Sequence, residues 1–232
     1  MTIKKKIANA YNWFKGIWIK KFIVIHYSAG SIDTDENNGE YFGRERVGVS
    51  ANAFVDDDSV TISVPLTATA YHCGKDYSNG KAPYWRKCTN SNSIGIEMCG
   101  IAKDKILDVR NKTIKNTVRY TKKLMKQFKI SHKKVVRHYD VCGKNCPAPM
   151  VEHPVAWDCF KLNIQTPFKV KTTINGVKMF DKLGGKVVKR WKKGQTLNIA
   201  AVYVYNGELY GKGKNSRQYQ KLKYTNYKKY LK

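Results

Sequence analysis

The sequence predicts an α/β domain followed by a small all-β domain. In residues 1–160, short apolar segments alternate with a long amphipathic segment, a pattern typical of a mixed central sheet flanked by helices. From Lys169 onward, short β-rich segments alternate with turn residues such as Asn-Gly and Gly-Gly, which favours a small all-β barrel. We therefore expect a first domain over 1–160, a linker over 161–168 and a second domain over 169–232.

The first part of the larger domain is expected to contain three strands. Runs of apolar and β-branched residues typical of strands lie at 22–27, 60–64 and 91–99. Residues 1–18 are expected to form a short helix that packs on the sheet. The polar, glycine-containing segments 28–48 and 74–92 are expected to be long loops that carry a binding groove.

A helix and a further strand are expected after these elements. Residues 110–129 place apolar side chains at roughly helical spacing, which predicts an amphipathic helix. A strand over 134–138 follows after a short connection. The acidic run Asp56-Asp57-Asp58 lacks the spacing and the final glutamate of a calcium loop, so we expect a hairpin turn there.

The chain is strongly basic, and more than half of its charge lies in its last third. Its 232 residues carry a formal net charge of +27 at pH 7, and 42% of them are hydrophobic, enough for a folded core. Residues 166–232 hold 17 lysine and arginine residues against two acidic residues, a net charge of +15. A basic chain prefers polyanions such as nucleic acid, anionic lipid or anionic wall polymers. No nucleic-acid-binding motif accompanies the charge, so we expect no specific nucleic-acid partner.

His26, His138 and Cys146 form the most informative set of residues. His26 and His138 end apolar runs that we expect to be strands, and Cys146 follows His138 by eight residues. Imidazole and thiolate groups suit zinc, and a catalytic zinc site has three protein ligands with the fourth position open to water. If the three side chains converge, the sequence predicts a zinc hydrolase. Asp140 would either orient one of these ligands or cap a turn.

The other five cysteines are expected to be reduced and mostly buried. A chain of 232 residues is not a small scaffold that depends on disulfides. With Cys146 assigned to the metal, an odd number of cysteines is left, which argues against a complete set of disulfides. Buried thiols of this kind behave as small hydrophobic groups.

Five segments resemble, in order along the chain, the motifs of the zinc-dependent N-acetylmuramoyl-L-alanine amidase family found in endolysins and autolysins. The segments are IVIHYSAG, GVSANAFVDDDSVTISVP, AYHCG, NSIGIEMCG and VVRHYDVCGKNCPAP, within roughly residues 20–160. The resemblance implies a Zn²⁺ cofactor and a peptidoglycan substrate. It also implies that zinc-activated water cleaves the amide between the lactyl group of N-acetylmuramic acid and the L-alanine of the stem peptide.

The resemblance implies roles for three further residues. Glu97 matches the catalytic glutamate of the family and would act as a general base; a structural salt bridge with a lysine is the alternative. Lys144 would stabilise the oxyanion together with zinc, unless it is an ordinary solvated loop lysine. His72 matches a histidine that lines the substrate cleft. Some members carry a tyrosine near the segment that here is 50–54, where this chain has none, so Glu97 is expected to be the main base.

The second domain resembles the bacterial SH3-like modules attached to wall hydrolases. The resemblance rests on the β-rich pattern over 169–232 and on a KKGQTL-like turn. It implies wall binding, and lysines interleaved with tyrosines suit the anionic polymers of a Gram-positive wall. The alternative to an amidase is a peptidoglycan-recognition protein that binds without cutting.

The amino-terminal segment does not predict a secretory signal. Asn9, Asn12 and Lys15 interrupt any apolar core, and no small-residue cleavage site follows. The chain also lacks a run of about 18 apolar residues that would cross a membrane. We therefore expect synthesis in the cytoplasm without a signal peptide, and action at the bacterial cell wall after release of the phage-holin type.

Overall fold

The structure is a computed structural model, and it describes residues 1–102, 107–214 and 218–232. These residues form two units, one made of 1–102 and 111–152 and the other of 107–110 and 153–232. Each unit contains its own six-stranded sheet. The larger sheet, in the first unit, positions the residues that the sequence singles out.

The first unit is a mixed α/β structure, as predicted. Its strands are β1 (Thr2–Lys5), β2 (Trp13–Phe14), β3 (Phe22–Tyr27), β4 (Ala53–Val55), β5 (Ser59–Ile62), β6 (Thr69–Ala70), β7 (Ser93–Met98) and β8 (Val135–Arg137). Its helices are α1 (Asp35–Arg44), α2 (Lys112–Phe128), α3 (His138–Cys142) and α4 (Ala148–Val151). The main sheet has the order β1-β5-β4-β7-β3-β8, and β2 pairs with β6.

Strand β3 lies between two parallel neighbours, β7 and β8. Its residues before Tyr27 are buried, as expected for a strand covered on both faces. Because parallel strands have their carboxyl ends at the same edge of a sheet, the residues that end these three strands lie side by side. His26 is in register with Glu97, and His138 directly follows β8.

Helix α2 confirms the predicted amphipathic helix. The side-chain oxygen of Asn111 accepts a hydrogen bond from Ile114 N at 3.0 Å, which caps the first turn. The helix ends before Lys129, whose φ of 55° is left-handed, a common way for a helix to terminate. Its buried face, which includes Val118 and Leu124, packs against β4 and β7. None of the described helices has the length and apolar character needed to cross a membrane.

The prediction of a helix over residues 1–18 is wrong, because this segment contributes β1 and β2 and only one short 3-10 turn at Ala10–Asn12. Strand β1 is parallel to β5, with Thr2 opposite Ser59, and β2 is antiparallel to β6. A helix this short is marginal by itself. Hydrogen bonding to open strand edges therefore outweighs the helical spacing of its apolar residues.

The segment 28–48, expected to be a loop, contains helix α1. The Thr34 side chain caps its first turn, and Asp35 and Glu36 lie in that turn, where negative charge stabilises a helix. These residues are signals for the start of a helix. The segment was nevertheless expected to be a loop because its composition is polar. The other expected loop, 74–92, has turns and no regular helix or strand in the described residues.

The expected hairpin turn in the acidic run is confirmed. Asp56 Oδ1 accepts hydrogen bonds from Asp58 N at 3.1 Å and from Ser59 N at 2.9 Å. A side chain that accepts from the backbone two residues on is a common device for closing a turn. The turn joins β4 to β5, which are antiparallel.

The second unit contains one antiparallel sheet that packs on a helix. Its elements are α5 (Pro154–Asn163), β9 (Phe168–Lys171), β10 (Val177–Phe180), β11 (Val187–Trp191), β12 (Thr196–Tyr205), β13 (Glu208–Gly213) and β14 (Tyr219–Lys221). The strand order is β11-β10-β14-β13-β12-β9. Leu162 of α5 shares an apolar core with Phe168, Ile199 and Leu222. The all-β character predicted for the carboxyl-terminal part is thus confirmed as a sheet, whereas an SH3-like barrel stays a prediction.

The segment 161–168, expected to be a linker, begins inside α5. Asn163 is buried, and its side chain exchanges hydrogen bonds with the backbone of Val202 at 2.8 and 3.0 Å. The helix begins at Pro154, a residue favoured in a first helical turn. The second unit therefore starts earlier in the chain than composition indicates.

Candidate active site

The three predicted metal ligands converge at the carboxyl edge of the main sheet of the first unit. His26 lies near the end of β3, His138 is the first residue of α3, and Cys146 lies between α3 and α4. One nitrogen of each imidazole and the Cys146 sulfur lie within 4.8 Å of one another. The loop is fixed by its backbone, because Tyr139 N donates a hydrogen bond to Cys146 O at 2.9 Å.

The burial and chemistry of these groups fit a zinc ion. All three side chains are buried, and among the described residues His138 Nδ1 has no hydrogen-bond partner. Burial lowers the pKa of His26 well below its usual range and that of His138 to about 3, so both imidazoles are in the neutral form that binds metals. Burial raises the pKa of the Cys146 thiol, so its thiolate needs a nearby cation. Two imidazoles and a thiolate are a donor set that zinc accepts.

A chain of hydrogen bonds supports His26 on the side away from the other ligands. His26 Nε2 lies 3.0 Å from His72 Nδ1, and His72 Nε2 lies 3.0 Å from Ser93 Oγ. Ser93 Oγ donates its proton to the Thr89 carbonyl, so it accepts from His72, which in turn accepts from His26. We assign the tautomers from this network. It leaves the lone pair on His26 Nδ1, the form that metal binding requires.

Strand β7 leaves room for this chain of hydrogen bonds at Gly95. A Cβ atom at this position would lie 2.8 Å from Cγ of His72, well inside van der Waals contact. Glu97 is two residues further along β7 and therefore on the same face. One strand thus accommodates the His72 ring and carries the predicted base.

Glu97 lies beside His26 at the cleft. Its Oε1 is 3.9 Å from His26 Nδ1, and its Oε2 is buried with no hydrogen-bond partner in the described part of the chain. Burial raises the pKa of Glu97 to about 7, although the charge of Lys144 acts in the opposite direction. The described residues place no lysine within 4.0 Å of the carboxylate, so they do not form the alternative salt bridge.

A cleft of about 270 Å³ opens over the ligands. Glu97, Lys144 and His72 all line it. A neighbouring groove of about 410 Å³ shares Lys144 and His72 with the cleft and extends to Lys75 and Tyr77. The six predicted site residues therefore all line one cleft. Together with the neighbouring groove, the cleft extends beyond the predicted metal ligands.

Two tyrosines that the sequence analysis did not single out also line the cleft. Tyr27 follows His26, and Tyr71 precedes His72. Tyr71 is held opposite Ser50 by a backbone hydrogen bond and by one to the Ser50 hydroxyl, both 3.0 Å long. Although the segment around Ser50 has no tyrosine, one from the adjacent segment reaches the cleft. Their position next to a site histidine is the sequence signal that would have found both.

Asp140 caps helix α3, which is one of the two roles that the sequence left open. Its Oδ2 accepts a hydrogen bond from Arg137 N at 2.8 Å, and its Oδ1 lies 2.7 Å from Nη2 of the same arginine. Arg137 also donates to Met150 O at 2.9 Å. This arrangement braces the turn at which His138 begins the helix.

A family model and several curated proteins match this chain. A model of the N-acetylmuramoyl-L-alanine amidase family matches residues 19–149, which include all of the predicted site residues. The amidase CwlL of Bacillus licheniformis is 29% identical over 75% of this chain and 49% of its own length. The amidase BlyA of Bacillus subtilis strain 168 is 31% identical over 66% of this chain and 43% of its own length. The chain therefore spans about half the length of the curated relatives it matches.

Solved structures show the same fold. PlyL matches with a TM-score of 0.59 and 24% identity, over 72% of this chain and 98% of that one. The catalytic domain of XlyA matches with a TM-score of 0.57 and 26% identity, over 71% of this chain and 99% of that one. Since the family model alone covers more than half of the sequence, the chain belongs to the N-acetylmuramoyl-L-alanine amidase family.

Proposed function

We propose that this chain is a zinc-dependent peptidoglycan hydrolase that cleaves the amide bond between the lactyl group of N-acetylmuramic acid and the L-alanine of the stem peptide. The observation that carries the proposal is a His-His-Cys ligand set with a glutamate 3.9 Å from one of the ligands, in one cleft. A metal site beside a carboxylate is suited to the attack of water on an amide. Membership of the amidase family supports this choice of bond.

His26, His138 and Cys146 would hold the zinc ion. The chemistry that zinc supplies when bound is Lewis acidity, which polarises the scissile carbonyl and acidifies the attacking water. His72 would keep His26 in the required tautomer through the 3.0 Å hydrogen bond between their rings. Because His72 also lines the cleft, it is a candidate substrate contact as well.

Glu97 would transfer a proton from the attacking water to the leaving amine. Burial disfavours the charged form of the Glu97 carboxyl and so raises its pKa, which makes it a stronger base toward the attacking water. The proton that it takes up can then return to the leaving amine of L-alanine. The same residue thus serves as base for attack and as acid for departure.

Lys144 would stabilise the negative charge that develops on the carbonyl oxygen. Its side chain lines the cleft together with Glu97 and the metal ligands. A positive group already in place where charge develops lowers the barrier more than a mobile solvent does. This role separates Lys144 from the many lysines on the rest of the surface.

The second unit would bind the wall, as an SH3-like module does. Lysines lie over tyrosine rings on its sheet, as in Lys212 over Tyr219 at 5.8 Å and Lys221 over Tyr210 at 5.9 Å. Together with the local excess of positive charge, such pairs suit the anionic polymers of a Gram-positive wall. Retention on purified walls should fall with added salt and after the anionic polymers are removed. Equal retention on stripped and intact walls would contradict this assignment.

The site of action that follows is the bacterial cell wall. Curated amidases of Bacillus resemble this chain, and an enzyme of this kind lyses cells from within once it reaches the peptidoglycan. We propose an endolysin-like role of this type, with release of the holin type.

The metal content and the turnover of three proteins test the proposal. Wild type should contain about one zinc ion per chain and solubilise purified peptidoglycan. Glu97→Gln should retain zinc and lose roughly 100-fold or more of the rate, whereas Cys146→Ser should lose both zinc and activity. A wild type that holds zinc but does not cut would replace the proposal with a recognition protein that binds without cleaving.

A further inference from the structure

An apolar loop near the amino terminus projects into solvent. We define the N-terminal apolar loop as residues 14–19, with the sequence Phe-Lys-Gly-Ile-Trp-Ile. Ile17 and Ile19 are 91% and 82% exposed, and Phe14 and Trp18 are about half exposed. Neighbouring apolar side chains of this size on a surface mark a binding site, unlike single exposed apolar residues.

The loop is held in this position at both ends. At its start, β2 pairs with β6 through Phe14 and Thr69. Directly after it, the buried Lys20 side chain donates hydrogen bonds to two backbone carbonyls at 2.7 and 2.9 Å. Within the loop, Trp18 N donates to a neighbouring carbonyl at 3.1 Å. Because the backbone is fixed, the fold presents the two isoleucines outward and does not turn them toward the core.

The loop begins at Phe14, opposite Thr69, which is two residues from Tyr71 of the cleft, and its end lies at the opposite edge of the sheet. It leads into the amino end of β3, whereas His26 lies near the carboxyl end of that strand. At about 3.3 Å per residue, the length of β3 separates the two edges by roughly 20 Å. A surface that binds Ile17, Trp18 and Ile19 therefore leaves the cleft open.

Lysines lie at the same edge of the sheet as the end of the loop. The segments 14–21 and 129–134 lead into the amino ends of the parallel strands β3 and β8 and together hold six lysines and no aspartate or glutamate. Lys15, Lys21 and Lys133 among them are exposed. The edge thus combines protruding apolar groups with positive charge.

We propose that the N-terminal apolar loop docks the first unit on an anionic lipid bilayer. Ile17, Trp18 and Ile19 enter the boundary between headgroups and acyl chains, and the exposed lysines at the same edge face the lipid phosphates. This composition suits a bilayer, because tryptophan favours the interface and basic residues are attracted to anionic lipid. The docking requires no catalysis, so it can be tested whether or not the chain is an amidase.

Vesicle flotation of the 232-residue chain tests the docking. Wild type should float with vesicles that contain phosphatidylglycerol and remain behind with phosphatidylcholine alone. The double variant Ile17→Ser/Ile19→Ser should bind about tenfold or more weakly, with an unchanged melting temperature because both side chains are exposed. Ile32→Ser is the matched control: Ile32 is 92% exposed but lies beyond the carboxyl end of β3, so this variant should float like wild type.

The basic second unit also attracts anionic vesicles, so a second readout isolates the loop. At high salt, where attraction between exposed charges is screened, the difference between wild type and the double variant should persist. Brominated phosphatidylglycerol should quench part of the tryptophan fluorescence of wild type, and Trp18→Phe should remove most of that quenching.

Three outcomes would overturn the proposal. The first is equal flotation of wild type and the double variant, which would assign membrane binding to charge alone. The second is quenching that survives in Trp18→Phe. The third is a wild type that does not float but forms a dimer that the double variant loses, which would make a second copy of the chain the partner of the loop.

Discussion

At the residue scale, the orientation of His26 depends on a neighbour that is not a metal ligand. His72 accepts the proton of His26 Nε2 across 3.0 Å and is itself held by Ser93. Removal of such a partner typically weakens metal binding by about 10- to 100-fold, because the ligand ring is then free to rotate. The proposed metal site thus consists of three ligands and the residues that orient them.

His72→Ala should lower zinc affinity by about 10- to 100-fold, measured by competition with a chromogenic chelator. His153→Ala is the matched control, since His153 precedes α5 in the second unit and should leave the affinity unchanged. Equal affinities for the two variants would remove His72 from the metal site and leave it with a substrate contact only.

Lys20 gives the stability of the protein a distinct pH dependence. Burial lowers its pKa to about 8, against 10.5 for an ordinary lysine. Between these values the unfolded chain binds more protons than the folded one, so the free energy of unfolding rises with pH. Relative to Lys20→Met, wild type should gain up to about 3 kcal/mol between pH 8 and pH 10.5, measured by urea unfolding. A difference between the two proteins that does not change with pH would show that Lys20 is not titrating in this range.

Residue types and their places in the sequence predicted which three side chains converge. Two histidines at strand ends and a nearby cysteine have few common explanations other than a metal. The contact between His26 and His72 could not be predicted from the sequence, because it joins residues 46 positions apart and depends on the orientation of both rings. The resemblance to the family predicted a catalytic role for Glu97. The raised pKa of its carboxyl could not be predicted, because it depends on burial in the folded chain.

At the scale of single elements, strand β7 links the metal site to the predicted base. It holds the space for His72 at Gly95 and carries Glu97 two residues later. A change in this strand therefore acts on both parts of the site at once.

Gly95→Ala should weaken zinc binding and slow peptidoglycan hydrolysis together, because the added methyl group displaces the His72 ring that would lie 2.8 Å away. Gly43→Ala serves as the control, since its added Cβ would meet its nearest neighbour at an ordinary 3.5 Å. Isothermal titration with zinc and a wall-clearing assay would measure both effects. Normal affinity and rate in Gly95→Ala would show that the His72 ring moves without consequence.

Elements with a strong internal signal were predictable, and those that depend on a distant partner were not. Helix α2 has both an amphipathic pattern and an Asn111 cap. In contrast, β1 exists because β5 offers an open edge more than 50 residues away. The local spacing of residues 1–18 contains no information about that edge.

At the scale of the whole molecule, the proposed metal site combines residues from segments of the first unit that are far apart in the sequence. The ligands come from β3, from the start of α3 and from the loop after it, and His26 and Cys146 are 120 residues apart. A ligand that binds only the folded state stabilises it by mass action. Metal binding at the proposed site would therefore be coupled to folding of the first unit.

Chelation should lower the melting temperature of wild type, measured by calorimetry with and without EDTA. Zinc held at 100 times its dissociation constant stabilises the fold by about 2.7 kcal/mol. Cys146→Ser should melt at the same temperature with and without EDTA. A wild type whose melting temperature does not respond to EDTA would contradict a metal-stabilised fold.

The division of the chain into two units differs from the boundary that composition indicates. The excess of lysine and the short β segments begin near Lys169, whereas the second unit already includes α5 and residues 107–110. The apolar residues of α5 do not indicate, from sequence alone, which of the two cores they pack in. Such a division depends on packing partners that a composition profile does not record.

Mass spectrometry of the products from purified peptidoglycan tests the central claim most directly. Digestion by wild type should yield intact stem peptides with a free L-alanine amino terminus. The same products should disappear with a chelator, return with zinc, and be absent from a Glu97→Gln digest that retains zinc. Cleavage at a glycosidic bond or within the stem peptide, or no cleavage by the zinc-loaded wild type, would contradict the account.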